Sequence, residues 1–306
     1  MWMCHEKHPV RLGYKYDLGA RDYPEYLCSG RESDSFYIEP DMIQASPLLI
    51  AQVTDIHLFA NPTQELLGLP TAKSFHAVLK QLQKLLPQPD LLLLTGDLSQ
   101  DETPESYQYL QDWLKPLGIP TYWLPGNHDQ PSVIAQVFNQ APISPKKSFS
   151  AGGWQFLLLS TAISGSVYGE LSPESLAWLE LQLQQNREQP TLISFHHPPF
   201  SVHSDWLDRI SLRNADDLFA VIDRHPQVRL VVFGHIHQEF ERSRHGVCYL
   251  GCPSTCFQFM PESDTFALDN ANPGFRLISL HADGSFHTQV ERVKYAYELY
   301  TGANGY

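Results

Sequence analysis

Five short apolar runs, each followed at once by a polar segment, constrain the fold of this 306-residue chain more than any other feature. Apolar runs without polar alternation are typical of strands that are buried on both faces of a sheet. Amphipathic helical patterns lie between several of the runs, and strands that alternate with helices favour an α/β fold. The five runs are residues 48–53, 91–94, 122–124, 192–195 and 230–233.

Four helical faces and a group of further strands complete the pattern. The first face runs from Phe75 to Leu86, and the last is preceded by Asn214, which we expect to cap its helix. Ser172 and Pro173 predict the start of the third helix. The other three faces lie in residues 107–114, 176–183 and 218–222, and the further strands are residues 156–159, 247–250, 275–280 and 286–293, with a hairpin turn at Asp283-Gly284.

The polar segments after the five runs are rich in Asp, His and Asn. They read Thr54-Asp55-Ile56-His57, Thr95-Gly96-Asp97, Pro125-Gly126-Asn127-His128-Asp129, His196-His197-Pro198-Pro199 and Gly234-His235-Ile236-His237. In an open α/β sheet, ligands bind beyond the carboxyl ends of the strands, so we expect these groups to meet at one edge of one sheet. Carboxylate, imidazole and amide groups are ligands for Fe, Mn or Zn. The predicted metal ligands are Asp55, His57, Asp97, Asn127, His196, His235 and His237.

This ligand set is large enough for two cations. Asp97 is expected to bridge them, and two cations about 3.5–4 Å apart lower the pKa of a bridging water. Two such cations suit the hydrolysis of a phosphate ester, because they can hold its phosphoryl oxygens. The hydroxide formed from the water would then attack the phosphorus atom in line with the leaving alkoxide. In an extended backbone, both ends of Asp-x-His and His-x-His would point to the same side. Gly96, Gly126 and Gly234 would let the backbone turn sharply beside the cations.

His128 directly follows the predicted ligand Asn127, so we expect it to face the substrate rather than the cations. There it would stabilise the phosphoryl charge and protonate the leaving oxygen. Asp129 would orient His128 or a metal ligand. His196 comes first after its apolar run and is therefore the preferred ligand, with His197 as the alternative. Each motif alone is common, but five in this order favour one shared site.

Charge and composition narrow the classes of partner. The net charge is −13, which disfavours nucleic-acid and anionic-membrane surfaces, whereas two bound cations would attract a small anionic substrate. The chain has no apolar run of about 18 residues and no secretory signal pattern, so we expect a cytoplasmic location. No sequence feature predicts the oligomeric state. Cys248, Cys252 and Cys256 lack the closely spaced pairs of zinc or iron–sulfur sites, and we expect them to be small buried residues.

The chain divides into two parts by pattern. Residues 1–46 have tyrosines among charges, Gly and Pro, without a sustained period of 2 or 3.6. They form either an arm that packs through its aromatic side chains or a disordered tail, and translation from Met42 is a third possibility. Residues 47–306 are predicted to form one domain.

The motif order Asp-x-His, Gly-Asp, Gly-Asn-His-Asp, His and Gly-His-x-His resembles that of the calcineurin-like metallophosphoesterase superfamily. Within it, the chain is similar to the bacterial class III 3′,5′-cyclic AMP phosphodiesterases from about residue 48 to the C-terminus. The likeness includes residues 96–101, 123–129, 206–208, 234–239 and 253–259.

The resemblance implies a four-layer α/β/β/α sandwich and hydrolysis of 3′,5′-cyclic AMP to 5′-AMP. It implies one divalent or trivalent cation held by Asp55, His57, Asp97 and His237, and a second held by Asp97, Asn127, His196 and His235. The residues that it places against the cyclic nucleotide are His57, Asp97, Asn127 and His128.

Two other functions are compatible with the sequence. One is a different phosphoesterase on the same scaffold, which acts on a linear diester, a nucleotide pyrophosphate or a monoester. The other is a non-catalytic interaction module, which the intact ligands and His128 disfavour. Arg213 either contacts the substrate, by pairing with phosphate or stacking on the base, or is an exposed residue at the start of a helix.

Overall fold

The computed structural model of the chain describes residues 46–300, 302–303 and 305. The predicted extension, with the suggested start at Met42, lies outside these residues except for Ser46, so the division into two parts stays a prediction. Within the described residues, every helix is too short or too polar to traverse a membrane.

The described residues form an alternating series of strands and helices. The strands are β1 (Leu48–Val53), β2 (Glu65–Leu66), β3 (Leu69–Pro70), β4 (Leu91–Thr95), β5 (Thr121–Leu124), β6 (Ile143–Ser144), β7 (Ser148–Ala151), β8 (Trp154–Leu158), β9 (Thr191–Ser194), β10 (Val228–Phe233), β11 (Phe240–Arg244), β12 (Val247–Gly251), β13 (Gln258–Phe259), β14 (Leu268–Asp269), β15 (Gly274–Leu280) and β16 (Phe286–Arg292). The helices are α1 (Thr71–Leu82), α2 (Pro104–Leu114), α3 (Pro131–Val137), α4 (Pro173–Gln185), α5 (Asp205–Asp208) and α6 (Ala215–Ile222), with a 3-10 turn at Lys115–Leu117.

Two six-stranded sheets form the centre of the fold. The first has the order β16-β15-β1-β4-β5-β6, and the second has the order β11-β12-β10-β9-β8-β7. The strands β1, β4, β5 and β6 are parallel, as are β12, β10, β9 and β8. Antiparallel strands flank each parallel group, so each sheet is mixed.

Alternate residues of the central strands face two different cores. In β4, Leu91 and Leu93 belong to the core between the sheets, whereas Leu92 and Leu94 pack with the helices α1 and α2. The second sheet is covered on its outer face by α4 and α6, which share a third core with it. Burial on both faces explains why the strands read as uninterrupted apolar runs. The predicted α/β/β/α sandwich is confirmed.

The first predicted helical face is too long by one turn. Helix α1 ends at Leu82, and Leu86 is 93% exposed. Pro87 disfavours the helical conformation of the residue before it, and the side chain of Gln88 donates a hydrogen bond to the carbonyl of Gln83 at 2.8 Å. The apolar spacing alone did not contain this stop signal.

One predicted helix cap is confirmed and one is wrong. Ser172 accepts a hydrogen bond from the backbone N–H of Ser175 at 3.1 Å at the start of α4. Asn214 occupies the N-cap position of α6 but makes no capping hydrogen bond. Its side chain instead accepts a hydrogen bond from Leu171 N–H and donates one to Leu171 C=O, both at 2.9 Å. These two hydrogen bonds connect the segments before α4 and α6.

The two sheets make a matched stability test possible. We expect Leu93→Ala, in the fully buried core between the sheets, to lower the free energy of unfolding by about 2–5 kcal/mol. Leu86→Ala removes the same atoms from an exposed site and should change the free energy of unfolding by less than about 0.5 kcal/mol. Urea unfolding measures both variants, and equal losses would contradict the layered core.

Candidate metal centre

The five predicted ligand segments follow strands of two sheets. Asp55, Asp97 and Asn127 follow β1, β4 and β5 of the first sheet, whereas His196 and His235 follow β9 and β10 of the second. The prediction of one sheet edge was therefore wrong, because apolar runs do not show to which sheet a strand belongs. The edges adjoin, since the side chain of Gln52 on β1 donates hydrogen bonds to Phe233 C=O of β10 at 3.0 Å and to Thr95 at 3.1 Å.

The predicted acidic and histidine ligands come together in a buried cluster. Each of the six is at most 4% exposed. Their ligand atoms form overlapping groups in which all atoms lie within 4.8 Å of one another. These groups are Asp55/His57/His237, Asp55/Asp97/His196, His196/His197/His235 and His57/Asp97/His128.

Left-handed backbone brings the two triplet motifs to the cluster. Asp55 and His57 have φ of 53°, His235 has φ of 70° and His237 has φ of 49°. Non-glycine residues pay roughly 1–2 kcal/mol for this conformation, and such residues concentrate at functional sites. The expected extended triplets are therefore wrong. The loops keep this shape partly because Asp97 C=O accepts hydrogen bonds from Ile56 N–H at 2.8 Å and His57 N–H at 3.0 Å.

All three predicted glycines allow close approach at the cluster, and a Cβ atom on Gly234 would clash with the hydroxyl of Thr54 and lie 2.8 Å from the carboxylate of Asp55. Gly96 has φ of 97°, and a Cβ atom on it would clash with the ring of His196. A Cβ atom on Gly126 would clash with the carboxylate of Asp97. Any side chain at either position would displace a predicted ligand.

Hydrogen bonds to the ring Nδ1 atoms orient three of the histidines. His196 Nδ1 lies 2.8 Å from Thr95 C=O, and His237 Nδ1 lies 2.9 Å from Phe257 C=O. His57 Nδ1 lies 2.7 Å from the Oε1 atom of Gln100. Because these partners are acceptors, they favour a proton on each Nδ1 and turn each Nε2 toward the centre of the cluster.

The facing atoms at the centre of the cluster fit bound cations. His57 Nε2 and His237 Nε2 are 3.3 Å apart, and His237 Nε2 also lies 3.3 Å from Asp55 Oδ1. Within the described residues, Asn127 Oδ1 and His235 Nε2 are buried without a hydrogen-bond partner. Buried polar atoms are normally satisfied, so a cation is the partner that this donor set lacks.

Burial and neighbouring charges set the protonation of the groups in the cluster. Burial lowers the pKa of His57 to about 3 and that of His235 well below its usual value, so both rings are neutral. Burial opposes ionisation of Asp55 and Asp97, but His237 and His196 nevertheless lower their pKa values. Burial also opposes protonation of His196, whose pKa is raised to about 9 mainly by Asp97, 3.2 Å away.

Gln100 is a site residue to which sequence reasoning assigned no role. Its Oε1 atom accepts from His57, and its Nε2 atom lies 3.3 Å from His128 Nδ1. One orientation of the amide serves both rings: it accepts from His57 and donates to His128. The available signal was its position three residues after Asp97.

Asp129 organises backbone at the site. Its carboxylate accepts hydrogen bonds from Leu98 N–H and Ser99 N–H at 3.1 Å and from Gly126 N–H at 2.9 Å. Asp129 was expected to orient His128 or a metal ligand, and these contacts favour the second role, because they join the loops after β4 and β5 that contain Asp97 and Asn127. Burial, with Asp97 nearby, raises the pKa of Asp129 to about 7.

The remaining candidates have different surroundings. His197 is fully buried, with Nδ1 2.7 Å from the hydroxyl of Thr161, and it belongs to one ligand-atom group with His196. The guanidinium of Arg213 lies over the ring of Tyr168, 3.1 Å from its centroid. Cys248, Cys252 and Cys256 are buried and free, as predicted. Burial raises the pKa of the first to about 11 and of the second to about 12, so these thiols stay protonated.

Comparisons with known proteins identify the family. Residues 48–239 match the family model described as calcineurin-like phosphoesterase. A protein named 3′,5′-cyclic-nucleotide phosphodiesterase from Nostoc sp. is 54% identical over 255 residues, which cover 83% of this chain and 96% of that relative. The 3′,5′-cyclic adenosine monophosphate phosphodiesterase CpdA of Escherichia coli K12 is 42% identical over 80% of this chain and 89% of its own length.

Solved structures share the fold at low sequence identity. A purple acid phosphatase from yellow lupin has a TM-score of 0.59 and 14% identity, over 84% of this chain and 53% of its own. A dimetal phosphatase from Danio rerio has a TM-score of 0.56 and 15% identity, over 81% of this chain and 100% of its own. The family match, the relatives and the fold agree: the chain belongs to the calcineurin-like phosphoesterase family.

Proposed function

We propose that this chain is a metal-dependent phosphodiesterase that hydrolyses 3′,5′-cyclic AMP to 5′-AMP. The observation that carries the proposal is the buried cluster of carboxylate oxygens and ring Nε2 atoms at the adjoining edges of the two sheets. The names of the relatives, at 54% and 42% identity, support the cyclic nucleotide as substrate. The net charge of −13 supports a small-molecule substrate over a nucleic-acid or membrane partner, and we propose a cytoplasmic location.

The ligand set that we propose follows the contacts in the cluster. One cation would be held by Asp55, His57, Asp97 and His237, and the other by Asp97, Asn127, His196 and His235. The group Asp55/His57/His237 supports the first set, and the proximity of His196 to His235 supports the second. His197 shares the second group and is the alternative ligand there. Carboxylate and imidazole ligands suit Fe, Mn or Zn, and two such cations would supply Lewis acidity and a water of lowered pKa.

His128 is the residue that we assign to the leaving oxygen. It is half-buried, lines a cavity together with Asn127 and His235, and receives the Gln100 amide at Nδ1. A donor at Nδ1 places the ring proton on Nε2, from which the proton can pass to the leaving 3′ oxygen. We therefore assign Asn127 and His128 to direct contact with the substrate, since both line this cavity. His57 and Asp97, which are at most 1% exposed, would meet only the phosphate.

A substrate panel tests the proposed reaction. The purified chain, loaded with Mn²⁺ or Fe²⁺, should convert 3′,5′-cyclic AMP to 5′-AMP, and it should lose this activity after chelation and regain it when metal returns. Cyclic GMP, 2′,3′-cyclic nucleotides, a nitrophenyl diester and the nitrophenyl monoester are assayed beside it. A higher kcat/KM for the monoester would overturn the phosphodiesterase assignment, and activity that survives chelation would overturn the metal centre.

Two histidines of different surroundings test the ligand assignment. We expect His235→Ala to lower kcat/KM for cyclic AMP by more than about 100-fold. Mutation of a group that only orients a metal ligand lowers activity or metal affinity by about 10–100-fold, and loss of a ligand itself should have a larger effect. The matched control is His245→Ala, since His245 is exposed and pairs with Asp223 at the surface. Steady-state kinetics measure both variants, and similar values of kcat/KM would remove His235 from the ligand set.

Gln100 can be tested apart from the metals. Gln100→Glu keeps an acceptor for His57 but removes the donor to His128, so both cations should stay bound while kcat falls at least about tenfold. Gln108→Glu changes an exposed glutamine of α2 and should leave kcat unchanged. Metal analysis measures whether both cations stay bound, and steady-state kinetics measure kcat. An unchanged kcat in Gln100→Glu would show that the amide does not position His128.

A further inference from the structure

A cavity of about 400 Å³ opens beside the candidate metal centre. Asn127, His128 and His235 line one end of it, so a phosphate held at the cations would lie at this end. The volume falls within the roughly 300–1,000 Å³ that small-molecule sites occupy. A group attached to the phosphate can therefore enter this cavity.

The other walls of the cavity are mainly aromatic and apolar. Trp206 and Phe266 line it together with Ile210 and Val167. The indole of Trp206 meets the ring of Phe266 edge to face, with the ring centroids 5.1 Å apart. Val167 is 54% exposed, so its surface is available to a ligand.

Polar groups at the rim add directional chemistry. Arg209 and Asp264 are exposed and line the cavity with Thr265. A guanidinium can stack on a planar ring or donate to its acceptor atoms, and a carboxylate can accept from an exocyclic amino group. A planar aromatic ring with donors and acceptors at its edge can stack on the apolar wall and form hydrogen bonds with the polar rim. A simple alkyl group can contact only the apolar wall.

Hydrogen bonds between loops hold the wall in place. Ser263 N–H donates to the hydroxyl of Ser204 at 3.1 Å, which joins the loop of Phe266 to the start of α5, the helix that contains Trp206. The carboxylate of Asp208 accepts from Ser201 at 2.6 Å and from Val202 N–H at 2.8 Å. The wall is thus built before the ligand arrives, which reduces the entropy lost on binding.

Aromatic contacts connect the same wall to the metal centre. Trp206 packs edge to face on Phe259 at 4.8 Å, and Phe259 stacks on the ring of His237 at 4.2 Å. The cavity wall and a predicted ligand therefore form one packed unit. The phosphate position and the aromatic wall have a fixed relation to each other.

We propose that this cavity binds the nucleobase of the cyclic nucleotide, with Trp206 as its aromatic wall and Arg209 at its rim. This inference deepens the proposed function and rests on it. Sequence reasoning suggested Arg213 for such a contact, but Arg213 stacks on Tyr168, whereas Arg209, four residues earlier in the chain, lines the cavity.

The test compares a substrate with and without its base. We expect Trp206→Ala to raise KM for 3′,5′-cyclic AMP about tenfold, because base–aromatic stacking is lost. KM for base-free ribose 3′,5′-cyclic phosphate should stay within about twofold of the wild-type value, since nothing would occupy the cavity. Trp178→Ala is the matched control: Trp178 is also partly buried against the same core but lines a different cavity.

Each other outcome has a clear meaning. An equal rise in KM for both substrates would mean that Trp206 supports the metal centre, and an unchanged KM for both would mean that the base lies outside the cavity. Either result overturns the inference. If the wild-type chain hydrolyses neither cyclic phosphate, the proposed function itself is wrong. If circular dichroism shows that Trp206→Ala does not fold, Trp206→Leu and Arg209→Ala replace it with the same expectation. Arg229→Ala, at an exposed position on β10, serves as the control for Arg209→Ala.

Discussion

The structure depends on a balancing charge for ligand atoms that the fold holds close together in a buried cluster. His57 Nε2 and His237 Nε2 face each other at 3.3 Å, and both Nδ1 protons are committed to acceptors outside the cluster. Two carboxylates, Asp55 and Asp97, share the same buried space. Such an arrangement is costly without positive charge at its centre, because buried charges need partners. Two bound cations would supply this positive charge at the centre of the cluster.

The scaffold converts the ends of two separate sheets into one rigid centre. Three segments come from the first sheet and two from the second, so the ligand positions are fixed by how the sheets pack. Gln52 fastens the sheets next to the site, and Asp129 binds three backbone N–H groups of the loops after β4 and β5. Left-handed residues store strain at the same place. The large apolar cores on both sides of each sheet offset that strain.

The sequence predicted what depends on local pattern and missed what depends on packing. Apolar runs located the central strands because both faces of those strands are buried. The ligand residues were recognisable because Asp, His and Asn recur directly after such runs. Spacing could not show that the strands belong to two sheets, that α1 stops before Leu86, or that Asn214 binds Leu171 rather than its own helix. Position three residues after Asp97 was the only sequence signal for Gln100, and it did not reveal a role, since that role depends on two rings that the fold brings beside it.

Anomalous diffraction from crystals grown with Mn²⁺ would show whether the buried cluster holds a pair of cations. We predict two anomalous peaks about 3.5–4 Å apart, with a carboxylate oxygen of Asp97 contacting both. A single peak, peaks outside the cluster, or an empty cluster at saturating Mn²⁺ would rule out a dinuclear centre.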